Sequence, residues 1–220
     1  MAVKNSLTKQ QGFNSSVIEY ESNGTSVKIS PSIVRNYLTN GNGAVTDQEV
    51  VMFMNLCKAQ RLNPFLREAH LIKYGSQPAS IVTGKEVFTK RARRAKDYAG
   101  QQAGVVVQKE DGTLENRIGS LVLQDEELVG GWAKVFVKGY DAPVEITVSF
   151  SEYVGLKGDG TVNAQWSKKP GTMIRKVALV QALREAFPEE LQGMYASEEV
   201  GVDEIDAPEP PVEVLDEPEL

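Results

Sequence analysis

Positively charged side chains gather around the start of a predicted helix near the end of the chain. Residues 166–176 include no acidic residue and four basic ones, which are Lys168, Lys169, Arg175 and Lys176. Pro170 suits the first position of a helix, so the pattern places these cations at the positive end of a helix macrodipole. That arrangement costs up to ~1 kcal/mol per charge unless an anion is bound there. The helix start therefore predicts a phosphate site made of free N–H groups and basic side chains, in preference to side chains that only contact water.

A second group of basic residues lies earlier in the chain. Residues 61–100 contain nine basic and three acidic residues. The candidate nucleic-acid contacts in this group are Arg67, Lys73, Lys85 and Lys90. The group is weaker support for a binding site than residues 166–176, because a charged helix face is usually only solvated.

Two tryptophans lie close to these cations. Trp166 is either a residue of the core or a platform on which bases stack, and the sequence favours neither. Trp132 and Phe136 alternate with lysines on one face of a predicted strand, 131–138. Such interleaving occurs on sheets that bind single strands, but packing beneath a helix is the favoured interpretation for these two aromatic residues.

Several catalytic chemistries are excluded by the residues present. Gly84-Lys85 lacks the earlier glycine and the following Ser or Thr of a Walker-type ATP site. Cys57 and His70 are the only cysteine and histidine, which leaves no internal disulfide, no cysteine-based zinc site and little material for a catalytic triad. No lysine follows an acidic residue at the spacing of common metal nucleases, so we expect a protein that is not an enzyme.

The charge is distributed unevenly along the chain. The net charge is −6, but residues 197–220 contain ten acidic and no basic side chains. Subtraction leaves 20 acidic and 24 basic residues in 1–196, a charge of +4. No apolar run approaches the roughly 20 residues that span a membrane. With one cysteine, the simplest expectation is a reducing, intracellular compartment and no membrane contact.

We expect an α+β fold in which an antiparallel β-meander is flanked by helices. The predicted organisation is a flexible N-terminal arm at 1–30, a DNA-binding and oligomerisation core at 31–196, and a disordered acidic tail at 197–220. Thr46 and Thr83 each begin a capping-box pattern that opens a helix. Residues 177–183 are apolar nearly all round, which predicts a central buried helix from Pro170 to Phe187. The predicted strands of the meander are 103–109, 117–124, 131–138 and 143–150.

Three segments in order resemble the RecT family of phage single-strand annealing proteins, with the phage lambda Beta protein as a more distant relative. They are Asn63-Pro64-Phe65, the helix start at Thr83-Gly84-Lys85, and residues 166–187. The resemblance covers roughly residues 45–195. It implies that Trp166, Arg175 and Arg184 lie in or near a DNA groove and that Lys85 matches the start of the second helix.

The resemblance also implies a function and partners. Members of the family bind single-stranded DNA without ATP, pair it with a complementary strand, and assemble into rings or helical filaments. They act beside a phage 5′–3′ exonuclease and the host single-strand-binding protein, so we expect a prophage-encoded protein in the bacterial cytoplasm. No cofactor is expected to be required, with Mg²⁺ at most a modulator of annealing. The alternatives are a metal-dependent nuclease on single-stranded DNA and a passive single-strand coat protein.

Overall fold

The protein is described here by a computed structural model that covers residues 17–200. Within that range the chain forms two compact units, residues 17–79 and residues 80–200. Residues 201–220 lie outside the described range, and with them most of the predicted acidic tail. Between residues 17 and 200 no helix has the length and apolar character that a membrane crossing requires.

The first unit combines a hairpin, a two-stranded parallel pairing and one long helix. Its elements in chain order are β1 (Ile18–Ser22), β2 (Thr25–Ile29), α1 (Pro31–Ile33), a π-helical turn (Val34–Leu38), β3 (Thr39–Asn40), α2 (Asp47–Ala59), a 3₁₀ turn (Pro64–Leu66) and β4 (Ala69–Ile72). Strands β1 and β2 pair antiparallel, and β3 pairs parallel with β4. Of the arm predicted at residues 1–30, residues 17–30 lie in this unit and residues 1–16 lie outside the described range. The prediction is wrong for β1 and β2, because Val27 and Ile29 are buried in the core and hold the hairpin in place.

Helix α2 begins as its sequence predicts. The Thr46 side chain accepts a hydrogen bond from the Glu49 N–H, and the Glu49 carboxylate accepts one from the Thr46 N–H. The apolar stripe of the helix, which is Val50, Phe53, Met54 and Cys57, is buried. The reciprocal cap fixes the start of the helix, and the stripe fixes the face that packs into the core of the unit.

The second unit contains an antiparallel sheet covered on one face by a long helix. Its elements are β5 (Ser80–Thr83), α3 (Lys85–Arg94), β6 (Tyr98–Gln108), β7 (Leu114–Ile118), β8 (Glu127–Val137), β9 (Val144–Ser149), α4 (Phe150–Tyr153), α5 (Ala164–Lys168), α6 (Pro170–Ala186), α7 (Pro188–Leu191) and a 3₁₀ turn (Ser197–Glu199). The α+β class with an antiparallel sheet and flanking helices is confirmed. The strand order is β7-β6-β8-β9, so β6 lies between β7 and β8. In a simple meander β7 would instead lie between β6 and β8.

Helix α6 is the central element of the second unit, as predicted from its apolar sequence. It packs against β6, β8 and β9 and also contacts α3 and α7. It lies close to the sheet at Gly131, where an added Cβ atom would lie 2.6 Å from the carbonyl oxygen of Ile174. The absence of a side chain at Gly131 therefore lets the helix lie directly on β8.

Two predicted boundaries of the second unit are corrected. Helix α3 is not opened by a Thr83 cap: its N-cap is Gly84, and no side chain caps it. Thr83 belongs to β5, where its N–H donates to the Tyr195 carbonyl at 2.8 Å. The acidic tail does not begin at residue 197, because Ser197–Glu199 forms a 3₁₀ turn in which Ser197 and Glu198 are buried.

Candidate nucleic-acid interface

Helices α3 and α6 bring three basic side chains together in the second unit. Lys85 is the first residue of α3, and Arg175 and Lys176 lie in the second turn of α6. We call these three residues the α3–α6 cation cluster. Lys85 is partly buried, and its pKa is lowered first by burial and then by the positive charges of Arg175 and Lys176. Like charges held together in this way favour the binding of an anion.

Arg175 is held by the sheet beneath it. Its Nε atom donates a hydrogen bond to the carbonyl oxygen of Ala103 on β6, at 3.1 Å, and its side chain is partly exposed. Among residues 17–200, neither Arg175 nor Lys85 forms an ion pair with a carboxylate within 4.0 Å. A guanidinium anchored through Nε keeps its two terminal nitrogens in a fixed plane, which suits a phosphate oxygen pair.

Lys176, the third member of the cluster, is already paired with a carboxylate. Its Nζ atom lies 2.7 Å from Oε1 of Glu198, and the two side chains are 10% and 1% exposed. The residue was predicted to contact DNA directly. In this structure its buried ammonium group instead contacts Glu198, so Lys176 is not openly presented to a ligand.

Arg184, about two turns after Lys176 on α6, is also paired with a carboxylate. Its two terminal nitrogens donate to the two carboxylate oxygens of Glu199, at 2.6 and 2.9 Å. Its guanidinium carbon also lies 4.8 Å from the centre of the Tyr195 ring. The predicted groove residue is therefore held by a bidentate ion pair and a cation–π contact.

The N-terminus of α6 differs from the predicted phosphate site. Pro170 opens the helix as expected, and Lys168 and Lys169 are exposed beside it. Gly171 is buried against the Ser120 carbonyl, however, since an added Cβ atom would lie 2.7 Å from that oxygen. This close packing restricts access to Gly171, whereas Thr172 in the same turn is exposed, and the phosphate site at the start of α6 stays a prediction.

Comparison with known proteins identifies the family. The chain matches the model of the RecT family over residues 25–213. It belongs to the RecT family. It is also 30% identical, over 141 residues, to an uncharacterized protein of Ureaplasma parvum serovar 3; the match covers 64% of this chain and 55% of that protein. The chain thus spans about half the length of this relative.

Trp166 belongs to the core of this RecT-family chain. The residue is 3% exposed, its ring meets Phe150 edge to face at a centroid distance of 5.6 Å, and Gly155 lies directly against it. Asn163 caps α5 by accepting the Trp166 N–H at 3.0 Å. The sequence left stacking platform and core residue equally open, and burial decides for the core, so its place as a predicted DNA contact is corrected.

The aromatic and basic strand face is not an exposed stacking surface either. Helix α6 approaches β8 at Gly131, so Trp132, the next residue, points to the opposite face of the sheet. Trp132 is nevertheless 4% exposed, and Lys134 lies 3.1 Å from the Glu145 carboxylate. Trp132 is therefore buried as favoured from the sequence, but it is not beneath the helix that packs on this strand.

Lys73 has a structural role in the first unit. Its Nζ atom lies 2.7 and 2.8 Å from the two oxygens of the Glu49 carboxylate, and its side chain is 8% exposed. Glu49 also accepts the N–H groups of Thr46 and Ala79, and its pKa is lowered from 4.5 to about 2, chiefly by the hydrogen bond with Lys73. The prediction that Lys73 contacts DNA is corrected, because this buried contact ties α2 to the end of β4.

Arg67 and Lys90 are exposed members of the predicted site. Arg67 follows the 3₁₀ turn with a φ of 58°, and Lys90 lies on α3. Arg67 belongs to the first unit and Lys90 to the second. The structure does not place either in the α3–α6 cation cluster through a described contact, and their role in binding stays a prediction.

Sequence analysis missed three carboxylates that decide how the cations are held. Glu49 was read only as part of a helix cap, while Glu198 and Glu199 were assigned to a disordered tail. The sequence signal for Glu198 and Glu199 was the pair of apolar residues just before them, Met194 and Ala196. Both of these residues are buried in the structure. Within the described part of the chain, His, Cys and carboxylate side chains form no group of three or more that suits a metal ion.

Proposed function

We propose that this chain is an ATP-independent single-strand annealing protein that holds DNA by its phosphates at the α3–α6 cation cluster. The observation that carries the proposal is the convergence of Lys85 with Arg175 and Lys176, in a chain of the RecT family. Burial of these cations and the repulsion between them are both unfavourable in the free chain, and a bound anion offsets them. Exposed Lys168 and Lys169 supply further positive charge from the same chain segment.

The chemistry of this site fits annealing better than sequence-specific recognition. Contacts to phosphates give affinity without reading the bases, and they leave the base edges free to test a second strand. Trp166 and Trp132 are both buried, so neither tryptophan offers a stacking surface. The contribution of the protein would then be to neutralise and align the strand rather than to bind its bases.

The proposal includes assembly and partners. A charge of +4 over residues 1–196 is small for one subunit to hold DNA tightly, so we propose that several subunits line up their cation clusters in a ring or filament. A phage 5′–3′ exonuclease and the host single-strand-binding protein are the proposed protein partners, in the bacterial cytoplasm. Neither ATP nor another cofactor is required, and Mg²⁺ modulates pairing at most.

A strand-pairing measurement tests this function. Two complementary oligonucleotides, one with a donor and one with an acceptor fluorophore, are mixed with and without the full chain, in the absence of ATP. We expect faster pairing with the protein and full-length strands on a denaturing gel. Slower pairing would indicate a passive coat protein, and shortened strands in the presence of Mg²⁺ would indicate a nuclease; either result contradicts the proposal.

A further inference from the structure

The segment after α7 returns to α6 and places two carboxylates on it. In the 3₁₀ turn Ser197–Glu199, the Glu199 N–H donates to the Ala196 carbonyl and the Glu199 carboxylate accepts the Ala196 N–H, at 3.1 and 2.9 Å. The turn therefore holds its own shape through Glu199. We call residues 196–199 the acidic turn.

Each carboxylate of the acidic turn forms an ion pair with one basic side chain of α6. Glu198 contacts Lys176 at 2.7 Å, and Glu199 contacts the two terminal nitrogens of Arg184 at 2.6 and 2.9 Å. The side chains of Glu198 and Glu199 are 1% and 5% exposed. The ammonium that contacts Oε1 of Glu198 and the guanidinium that contacts both oxygens of Glu199 are the kinds of donor that also bind phosphate oxygens.

The site around Glu198 has more positive charge than its carboxylate neutralises. The pKa of Lys85 is lowered by burial and then by Arg175 and Lys176, and the carboxylates of Glu86 and Glu198 act on it in the opposite direction. Among residues 17–200, Oε2 of Glu198 is buried without a hydrogen-bond partner. Glu198 thus contacts one cation, Lys176, through a single oxygen and leaves its second oxygen unsatisfied, which is an incomplete match that a phosphate group could improve.

We propose that the acidic turn occupies phosphate positions of the DNA site and must leave α6 before a strand can bind there fully. This inference rests on the proposed function, because it assigns a regulatory element to the same site. In the free chain Lys176 and Arg184 would then be paired with the acidic turn. Only Lys85, Arg175 and the exposed lysines would be available to bind DNA first. Displacement of the turn would release two more cations to the strand.

Charge-removing variants of the acidic turn test the inference. Glu198→Gln and Glu199→Gln keep the size of each side chain, remove its charge and replace one acceptor oxygen by an amide NH2 group. The matched control is Glu189→Gln, since Glu189 is an exposed acid of nearby α7. Binding of a fluorescent poly-dT oligonucleotide is measured for each full-length variant at several salt concentrations.

The expected result is tighter and more salt-dependent binding by the two turn variants. If the turn is closed in about nine molecules of ten, opening it raises the apparent affinity by about tenfold. Each recovered phosphate contact steepens the dependence of log K on log salt by about 0.7 for a single strand. Glu189→Gln changes the net charge equally and should leave both quantities close to those of the unmodified chain. Unchanged or weaker binding by both turn variants would overturn the inference.

Hydrogen exchange on the unmodified chain gives an independent readout that needs no substitution. On addition of poly-dT, the amides of Ala196 and Glu199 should exchange faster, because a displaced turn loses its contacts with Lys176 and Arg184 and its own hydrogen bonds then open more readily, while the amides of 177–183 in α6 stay protected. Unchanged or slower exchange in the turn on a chain that binds the oligonucleotide would contradict the inference alone. No binding by the unmodified chain or by any variant would contradict the proposed function as well.

Discussion

The Glu49–Lys73 pair is expected to stabilise the fold and to take no part in DNA binding. We consider Glu49→Gln, which removes the negative charge and leaves the Lys73 ammonium, 8% exposed, without its ion-pair partner. The lowered pKa of Glu49, from 4.5 to about 2, corresponds to about 3 kcal/mol at 1.36 kcal/mol per pKa unit. The Glu49 side chain is 19% exposed, so solvent screening reduces this value, and we expect a loss of about 2 kcal/mol.

The assay is urea unfolding of the full chain at pH 7, with Glu21→Gln as the control. Glu21 is an exposed glutamate of β1 in the same unit. Adding Lys73→Met to the Glu49 variant should restore part of the lost stability, because the buried ammonium is then removed as well. A loss below about 0.5 kcal/mol for Glu49→Gln, equal to that of Glu21→Gln, would refute the structural role.

The same pair predicts a dependence on pH. A carboxyl group whose pKa is lowered in the folded chain stabilises it fully above the ordinary value of 4.5. That contribution decreases as the pH falls from 4.5 towards about 2 and is absent below. Glu49→Gln should therefore lose less stability than the unmodified chain over this interval, whereas equal losses would contradict the assignment.

Three further predictions concern the second unit. Trp166→Ala should lower the free energy of unfolding by about 3–5 kcal/mol, measured by urea, and leave the salt dependence of DNA binding per folded molecule unchanged. Gly131→Ala should cost about 1–3 kcal/mol because its Cβ atom would meet the Ile174 carbonyl; a neutral effect would show that α6 can move off β8. Deletion from residue 197 should lower the melting temperature more than deletion from residue 201, since only the former removes the partners of Lys176 and Arg184; equal melting temperatures would contradict this.

Local sequence signals predicted much of the fold. The reciprocal cap of α2 depends on residues three positions apart, and the start of α6 depends on Pro170 and the apolar residues after it, so both could be read from the chain. The position of β6 between β7 and β8 could not, because the pairing of β6 with β8 joins residues that lie far apart in the chain and no local pattern marks it. Thr83 shows that a local pattern can also mislead. Its sequence suits a helix cap, but Thr83 is the last residue of β5 and its N–H donates to the Tyr195 carbonyl.

The candidate site was predicted in part. Residue types alone identified Arg175 and Lys176 in one basic group and Lys85 in another, and the family resemblance added Arg184. The pairing of Lys176 with Glu198 and of Arg184 with Glu199 could not be inferred. Both glutamates belong to a strongly acidic segment whose composition suggests no fixed structure. Trp166 was undecided because a tryptophan beside lysines suits a core and a stacking surface equally well, and only burial separates the two.

The most direct test of the account is the salt dependence of single-strand binding when the unpaired cations of the α3–α6 cluster are removed. The variant is Lys85→Gln with Arg175→Gln, and the control is Lys138→Gln with Lys157→Gln, which removes two exposed lysines of the same unit. Loss of two phosphate contacts should reduce the slope of log K against log salt by about 1.4, with little change for the control. Equal slopes for the two double variants would contradict the claim that this cluster holds the DNA backbone.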